Sequence, residues 1–192
     1  IASGGIVGGA TLSGTANQIG TIGSFVVSTG NAIVVDSTAL TVAGSMSAAA
    51  GSISLSGMPT LTVTGAVSAS AAAILSVGTG GIALTGGTLA GASVDVSTTG
   101  GGIVQTASST LNAGTLLSSS GVVGGVSLSG TANNIGTLGN FTVTGGDLSI
   151  VDSAALRVAG SVSAGNVVIK DTASPSQVVL GAGGSIKATG SL

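Results

Sequence analysis

The sequence predicts an all-β protein, a β-solenoid whose coils are each about 20 residues long. The first observation behind this prediction is a long internal repeat with a shift of 116 residues. The second is a short strand pattern in which apolar residues alternate with polar ones around a glycine. The third is the composition, which is 43% hydrophobic but only 1% aromatic. Small apolar side chains fill a thin core better than a wide one, which favours a long, narrow architecture.

The long repeat divides the chain into two unequal copies. The segment Gly5–Ser47 returns as Gly121–Ser163, and 27 of these 43 aligned positions are identical. The segment GGATLSGTANQIGTIGSF of the first copy, for example, becomes GGVSLSGTANNIGTLGNF in the second. We therefore predict one continuous solenoid over residues 1–192, with a super-repeat over 5–120 and 121–192 in which the second copy is incomplete.

A shorter motif recurs inside each copy. It reads LTVAGSMSA at Leu40–Ala48, LTVTGAVSA at Leu61–Ala69 and LRVAGSVSA at Leu156–Ala164. The period of two places its apolar members on one face of a strand, and the central glycine suits a bend between two short strands. Successive starts fall at Phe25, Leu40 and Leu61. This spacing indicates one solenoid coil and is too short for a propeller blade.

The solenoid predicts where each type of side chain lies. Val, Ile, Leu and Ala are expected to point inward and stack on the next coil, while Ser and Thr form outward hydroxyl rows. Asn17 and Asn133 recur at equivalent positions, where Asn can bond from coil to coil or adopt a left-handed conformation. The Ala-rich strings Ala48–Gly51 and Ala69–Ala73 lack a charged outer face, so we expect strand or turn there rather than helix.

The composition excludes several classes of function. The chain has no Cys and no His, so disulfides, thiolate metal sites and the usual base for a nucleophilic Ser are missing. Three basic residues argue against nucleic-acid binding. No apolar run approaches the roughly 20 residues of a membrane-spanning helix. Disorder is disfavoured, because the mean hydropathy is +0.79 and the formal net charge is only −2. The chain does not begin with Met, and we expect a mature product or an excerpt of a longer chain.

The five aspartates do not form a catalytic pattern. Asp36 and Asp152 are copies of each other, and this repetition indicates a structural role. Asp147 and Asp152 are close in sequence, but we expect them at a solvated corner. Lys170 and Asp171 are read as a solvated turn pair. We therefore predict no catalytic, cofactor-binding or metal-binding residues, no cofactor and no enzymatic activity.

Glycine pairs and threonines carry two further possibilities. The Gly-Gly pairs lack the Lys and Ser/Thr of a phosphate loop and the Asp of calcium-binding toxin repeats, so they are read as turns. Thr60, Thr62 and Thr64 form a T-x-T-x-T row on one strand face. Because Ser, Val or Ala take the matching positions of the motif, this row is not expected to repeat, and ice binding is a remote alternative.

The Ser/Thr/Gly/Ala-rich coils, the VxVxG-type strands and the lack of Cys resemble the repeat regions of large bacterial exoproteins. The family is the group of filamentous-haemagglutinin-like proteins and autotransporter passengers. The resemblance rests on the segments Gly8–Phe25 and Val35–Ala48 and covers essentially the whole chain. It implies a right-handed parallel β-helix, secretion to the cell surface and a role as adhesin, stalk or matrix component. It implies no catalytic residues.

The leading functional hypothesis is a structural subunit of an extracellular fibre, surface layer or matrix. Its coils are expected to stack end to end on other copies or on further repeats of the same chain, because no polar capping helix is visible. The alternative is the shaft of a large secreted adhesin, with host or matrix glycans as partners. A polysaccharide-active β-helix enzyme is a remote alternative.

Overall fold

The computed structural model describes residues 5–191, and within this range the chain forms 23 β-strands and no helix. The all-β prediction is therefore confirmed, and the described residues offer no helix that could cross a bilayer. Residues 1–4 and 192 of the predicted solenoid lie outside the described range. The strands are β1 (Ala10–Leu12), β2 (Thr21–Ile22), β3 (Phe25–Val27), β4 (Ala32–Val35), β5 (Leu40–Val42), β6 (Ser45–Ala48), β7 (Ile53–Ser56), β8 (Thr60–Val63), β9 (Ala66–Ala69), β10 (Ala72–Val77), β11 (Gly81–Leu84), β12 (Thr88–Thr98), β13 (Ile103–Gln105), β14 (Thr110–Leu117), β15 (Val126–Leu128), β16 (Asn134–Leu138), β17 (Phe141–Thr142), β18 (Leu148–Asp152), β19 (Leu156–Val158), β20 (Ser161–Ala164), β21 (Val167–Asp171), β22 (Val178–Leu180) and β23 (Ser185–Ala188).

The strands stack into three parallel sheets. Sheet 1 runs in the order β1-β4-β7-β10-β12-β14-β16-β19-β22, with β3, β6 and β9 joined to it through β12. Sheet 2 runs β2-β5-β8-β11-β13-β15-β18-β21, and sheet 3 runs β17-β20-β23. Neighbouring strands of each sheet come from successive coils, which is the arrangement of a β-solenoid and confirms the predicted fold class.

The coils have nearly constant length. The number of residues between paired positions of neighbouring coils is smallest from Leu148 to Val167 and largest from Ser161 to Ser185. These two coil lengths differ by only a few residues. The nine strands along sheet 1 therefore mark about nine coils. At about 4.8 Å per coil, the stack is roughly 40 Å long.

The core is a set of inward columns of small aliphatic side chains. One column on sheet 2 passes in register through seven coils, and all seven residues are buried. Phe141 is fully buried, so one of the two rings contributes to this core. The Ala-rich strings lie in strands and turns as predicted. The seven buried residues of the column on sheet 2 are Leu40, Leu61, Ile82, Ile103, Val126, Leu148 and Val167.

The 116-residue repeat does not match a whole number of coils. Five coil steps along sheet 1 carry Ala10 to Leu116, whereas the sequence repeat carries it ten residues further, to Val126 on sheet 2. Repeat-equivalent strands consequently exchange sheets. β4 lies in sheet 1 while its equivalent β18 lies in sheet 2, and β5 lies in sheet 2 while its equivalent β19 lies in sheet 1. The same strand sequence fits either sheet, because both demand alternating small apolar residues.

The motif glycine marks a corner at which successive coils come into close contact. Gly44 separates β5 from β6, and Gly65 separates β8 from β9, as the bend prediction required. A Cβ atom built on Gly65 would overlap the carbonyl oxygen of Gly44 in the preceding coil. Any larger residue at this corner would push neighbouring coils apart, so the glycine is needed for its small size.

We expect Gly65→Ala to destabilise the solenoid by roughly 1–3 kcal/mol or more, since the added methyl group meets rigid backbone. Gly23→Ala is the matched control, because a Cβ atom there meets nothing within 4 Å and Gly23 does not have a positive φ. Chemical denaturation followed by circular dichroism measures both. Equal stability losses in the two variants would contradict the close-contact role of Gly65.

Candidate functional site

The most organised polar feature is a corner built around a buried aspartate, and it occurs once in each repeat copy. In the first copy Asp36 follows β4 and is fully buried. Its Oδ1 accepts hydrogen bonds from the backbone N–H groups of Ile19 and Ser37, each at 3.0 Å. The hydroxyl of Thr38 donates to Oδ2 at 3.4 Å. Both carboxylate oxygens are therefore satisfied, which a buried charge requires.

The second copy repeats this corner with one partner missing. Asp152 ends β18, is also fully buried, and accepts the backbone N–H of Ile135 on Oδ1 at 3.0 Å. The residue equivalent to Thr38 is Ala154, which has no hydroxyl. Oδ2 of Asp152 consequently has no hydrogen-bond partner among the described residues. The structural role predicted for the repeated aspartates fits this geometry, whereas the solvated corner expected for Asp152 is wrong.

Burial raises the pKa of Asp152 above the ordinary value of 3.8. Hydrogen bonds from the backbone N–H groups of Ile135, Ser153 and Ala154 lower the pKa and oppose the effect of burial. The carboxylate of Asp171, which pairs with Asp152 in the next coil, adds a smaller upward contribution to the pKa. Asp152 therefore keeps its proton to a higher pH than an aspartate exposed to water does.

A buried amide pair extends this corner toward the preceding coil. Nε2 of Gln105 donates to Oδ1 of Asn133 at 2.7 Å, and Nδ2 of Asn133 donates to Oε1 of Gln105 at 2.9 Å. Backbone N–H groups of Leu111 and Gly130 donate to the two amide oxygens at 2.8 and 3.1 Å. Nδ2 of Asn133 also donates to the carbonyl of Val151, next to Asp152, at 2.9 Å. The network orders the corner through three coils.

Sequence reasoning found Asn133 through the repeat but missed Gln105. A signal was present, because Gln105 takes the place of Leu in a Gly-Gly strand pattern. The segment Gly80–Thr85 reads GGIALT and Gly124–Ser129 reads GGVSLS, whereas Gly101–Thr106 reads GGIVQT. A polar residue at an inward position indicates a buried partner.

The other charged residues do not form a reactive cluster. Asp147 precedes β18 and is exposed, as expected, while Asp152 ends that strand, so the strand separates the two carboxylates. Asp171 accepts the backbone N–H groups of Ala173 and Gln177 at 2.7 and 2.5 Å and so closes a turn. Within residues 5–191 the chain has no group of three acidic side chains placed to hold a metal ion.

Short polar side chains link the coils at an exposed corner. Oδ1 of Asp147 accepts the N–H of Asn166 at 2.8 Å, and Oδ1 of Asn166 accepts the N–H of Ser191 at 2.7 Å. Asn31 bonds Ser52 in the same way at 2.9 Å. Nδ2 of Asn17 likewise donates to the carbonyl of Val35 in the next coil at 3.0 Å, as Asn133 does to Val151, which confirms the bonding from coil to coil expected for these two residues. The left-handed alternative is wrong for the described residues, since only glycines there have a positive φ.

One threonine of the T-x-T-x-T row belongs to a column that crosses three coils. Thr62 on β8 lies in register with Thr41 on β5, and Thr41 lies in register with Thr21 on β2. The other two threonines have no such partners, since Ala39 and Ala43 take the places of Thr60 and Thr64 beside β5. The T-x-T-x-T row therefore does not recur in that coil, as expected. The column of threonines ends at Thr62, because Ala83 takes this position in the next coil and Val104 in the coil after it.

Two shallow grooves lie beside sheet 3 and share Thr142. One has a volume of about 330 Å³ and includes Ser163, Lys187 and Thr189, and the other has a volume of about 580 Å³ and includes Ser118 and Asn140. Both present hydroxyl groups, to which the first adds the cation of Lys187 and the second the amide of Asn140. These groups can hydrogen-bond a ligand, and within the described residues no carboxylate lines either groove.

The two ends of the stack present apolar edges. β1 and β22 are the terminal strands of sheet 1, and each pairs with a single neighbour among the described strands. Leu12 on β1 is 43% exposed, and it borders an apolar cavity of about 250 Å³ that reaches Phe25. On β22, Val178 and Leu180 are 44% and 59% exposed. These residues continue inward columns that are buried in the interior coils.

No family model matches the chain. No curated protein matches it, and neither does any solved structure.

We expect Asp152→Asn to raise stability at pH 7 by about 1 kcal/mol, since the buried oxygen without a partner no longer carries charge. In the wild type the folded chain holds this proton more tightly than the unfolded chain. The contribution of this proton to the free energy of unfolding should therefore be fully present below pH 3.8. It should be lost as the pH rises through the raised pKa of the folded state. The variant should lack this dependence. Urea denaturation between pH 4 and 8 measures it.

The matched control for this prediction is Asp36→Asn. Its carboxylate is already satisfied by Thr38, so removal of the charge should bring no gain in stability. A gain of equal size in both variants would show that the unpartnered oxygen of Asp152 is not the cause.

A second variant restores the missing donor. Ala154→Thr should place a hydroxyl beside Oδ2 of Asp152, as Thr38 does for Asp36, and stabilise the fold by about 1 kcal/mol at pH 7. The gain should shrink in an Asp152→Asn background, which a double-mutant cycle in urea measures. Additive effects would contradict a direct bond between the two side chains.

Proposed function

We propose that this chain is a non-catalytic structural subunit of an extracellular fibre, surface layer or matrix, which assembles by end-to-end stacking of its coils. The observation that carries the proposal is the pair of apolar sheet edges formed by β1 and β22. An open strand edge offers a row of backbone N–H and C=O groups to another chain. Burial of Leu12, Val178 and Leu180 would add roughly 1–2 kcal/mol each.

The weak charge of the chain supports association. Long-range repulsion between copies is small at a formal net charge of −2. Lysines on an edge strand block unwanted pairing in many sheet proteins. β1 and β22 carry no charged residue, so this protection is missing from both strands.

A second candidate is the shaft of a large secreted adhesin. In this case further coils of the same polypeptide cover the edges, and the hydroxyl-lined grooves beside sheet 3 are the places for a host or matrix glycan. Lys187 would favour an acidic sugar there. The two candidates differ in whether separate copies of the chain associate, since only the subunit requires it.

We expect the purified chain to assemble into filaments (threads) whose length grows with protein concentration. Leu180→Lys should weaken the association at least about tenfold, because it places a charge in the new contact. Val104→Lys is the matched control, since Val104 is exposed on the outer face of sheet 2. Sedimentation velocity and electron microscopy measure the outcome. Monomers at all concentrations, or equal impairment in both variants, would contradict stacking through the edges.

A further inference from the structure

The interior of the chain shows which strand covers β8. In the next coil β11 pairs with β8 in parallel, with Ile82 opposite Leu61 and Leu84 opposite Val63. The segment that contains β11 reads GGIALT, so a glycine pair precedes it and a hydroxyl residue follows its last Leu. The glycine pair makes the corner, and the two apolar residues continue the core.

β22 occupies the place of β8 in the second repeat copy. β5 and β19 are repeat-equivalent, with Leu40 matching Leu156. In the following coil Leu40 pairs with Leu61 of β8, and Leu156 pairs with Val178 of β22. A strand of the same type as β11 should therefore fit the open edge of β22.

β1 has the sequence pattern of β11. The segment Gly8–Ser13 reads GGATLS, against GGIALT at Gly80–Thr85. A glycine pair, an apolar residue, a Leu and a hydroxyl residue fall at the same places. β1 and β22 are also the two terminal strands of one sheet, so their pairing would continue sheet 1 without a break.

Resting on the proposed end-to-end assembly, we infer that β1 of a second copy pairs in parallel with β22 in a defined register. Ala10, Thr11 and Leu12 of the second copy lie opposite Val178, Val179 and Leu180. Leu12 then covers Leu180 as Leu84 covers Val63 in the interior. The occupant of this edge is therefore another copy of the same chain, held in the geometry that β11 has on β8.

The register can be tested directly because the chain has no cysteine. Thr11 and Val179 are both exposed and outward, so cysteines there leave the core intact. Paired strands hold opposite Cα atoms about 4.8 Å apart, within the range that a disulfide spans. A chain carrying Thr11→Cys and Val179→Cys should form a ladder of disulfide-linked oligomers on mild oxidation, in more than about half of the associated material.

The matched control carries Thr11→Cys and Val168→Cys, since Val168 is an exposed residue on β21 of sheet 2. It should form no ladder. A ladder in the control alone would mean that copies exchange sheets at the junction, as the internal repeat does, and would overturn the register. Threads without cross-links in either variant would overturn it as well, while end-to-end assembly would stand. Absence of both threads and cross-links would remove the proposed function together with the register.

Discussion

Parallel pairing of each coil with the next at constant spacing is the constraint on which the rest of this structure depends. Pairing at about 4.8 Å leaves no room for large side chains at the corners, as the contact between Gly44 and Gly65 shows. It also stacks each inward residue on an inward residue of the next coil, and most of these residues are aliphatic, as in the pair Ala32 and Ile53. The composition follows from these two demands. Small aliphatic residues fill the columns, glycines turn the corners, and aromatic residues are nearly absent.

The same constraint accounts for the buried polar corners. Where the chain leaves a sheet, backbone N–H groups lose their pairing partners and need an acceptor. The carboxylates of Asp36 and Asp152 supply it for Ile19 and Ile135 in the neighbouring coil. A buried carboxylate in turn needs donors on both oxygens. The first copy meets this need through Thr38, and the second does not meet it. One substitution between the copies, Ala154 in place of Thr38, thus changes the electrostatics of the corner.

Much of the fold could be predicted from the sequence, because the spacing of the strand motifs along a solenoid sequence equals the length of one coil. The starts at Leu40 and Leu61 differ by one coil and are in fact paired residues. The exchange of sheets between the copies was not predicted, because the coils differ in length by a few residues and the repeat length alone does not fix how many coils it spans. The burial of Asp152 was also missed, because an aspartate beside a turn has the same sequence signature whether it is exposed or covered. The motif alignment already matches Thr41 with Thr62, but the extension of this column to Thr21 is seen only in the pairing of the coils.

The central claim is that successive coils stack in register along one axis. Thr41 and Ser127 both face outward on sheet 2 and are separated by four coil steps, through Thr62, Ala83 and Val104. Spin labels at Thr41 and Ser127 of one chain can be measured by pulsed electron paramagnetic resonance in dilute solution. They should give a single narrow distance of about 20 Å, four times the strand spacing. A broad distribution, or a narrow one centred at more than twice this distance, would contradict the stacked solenoid.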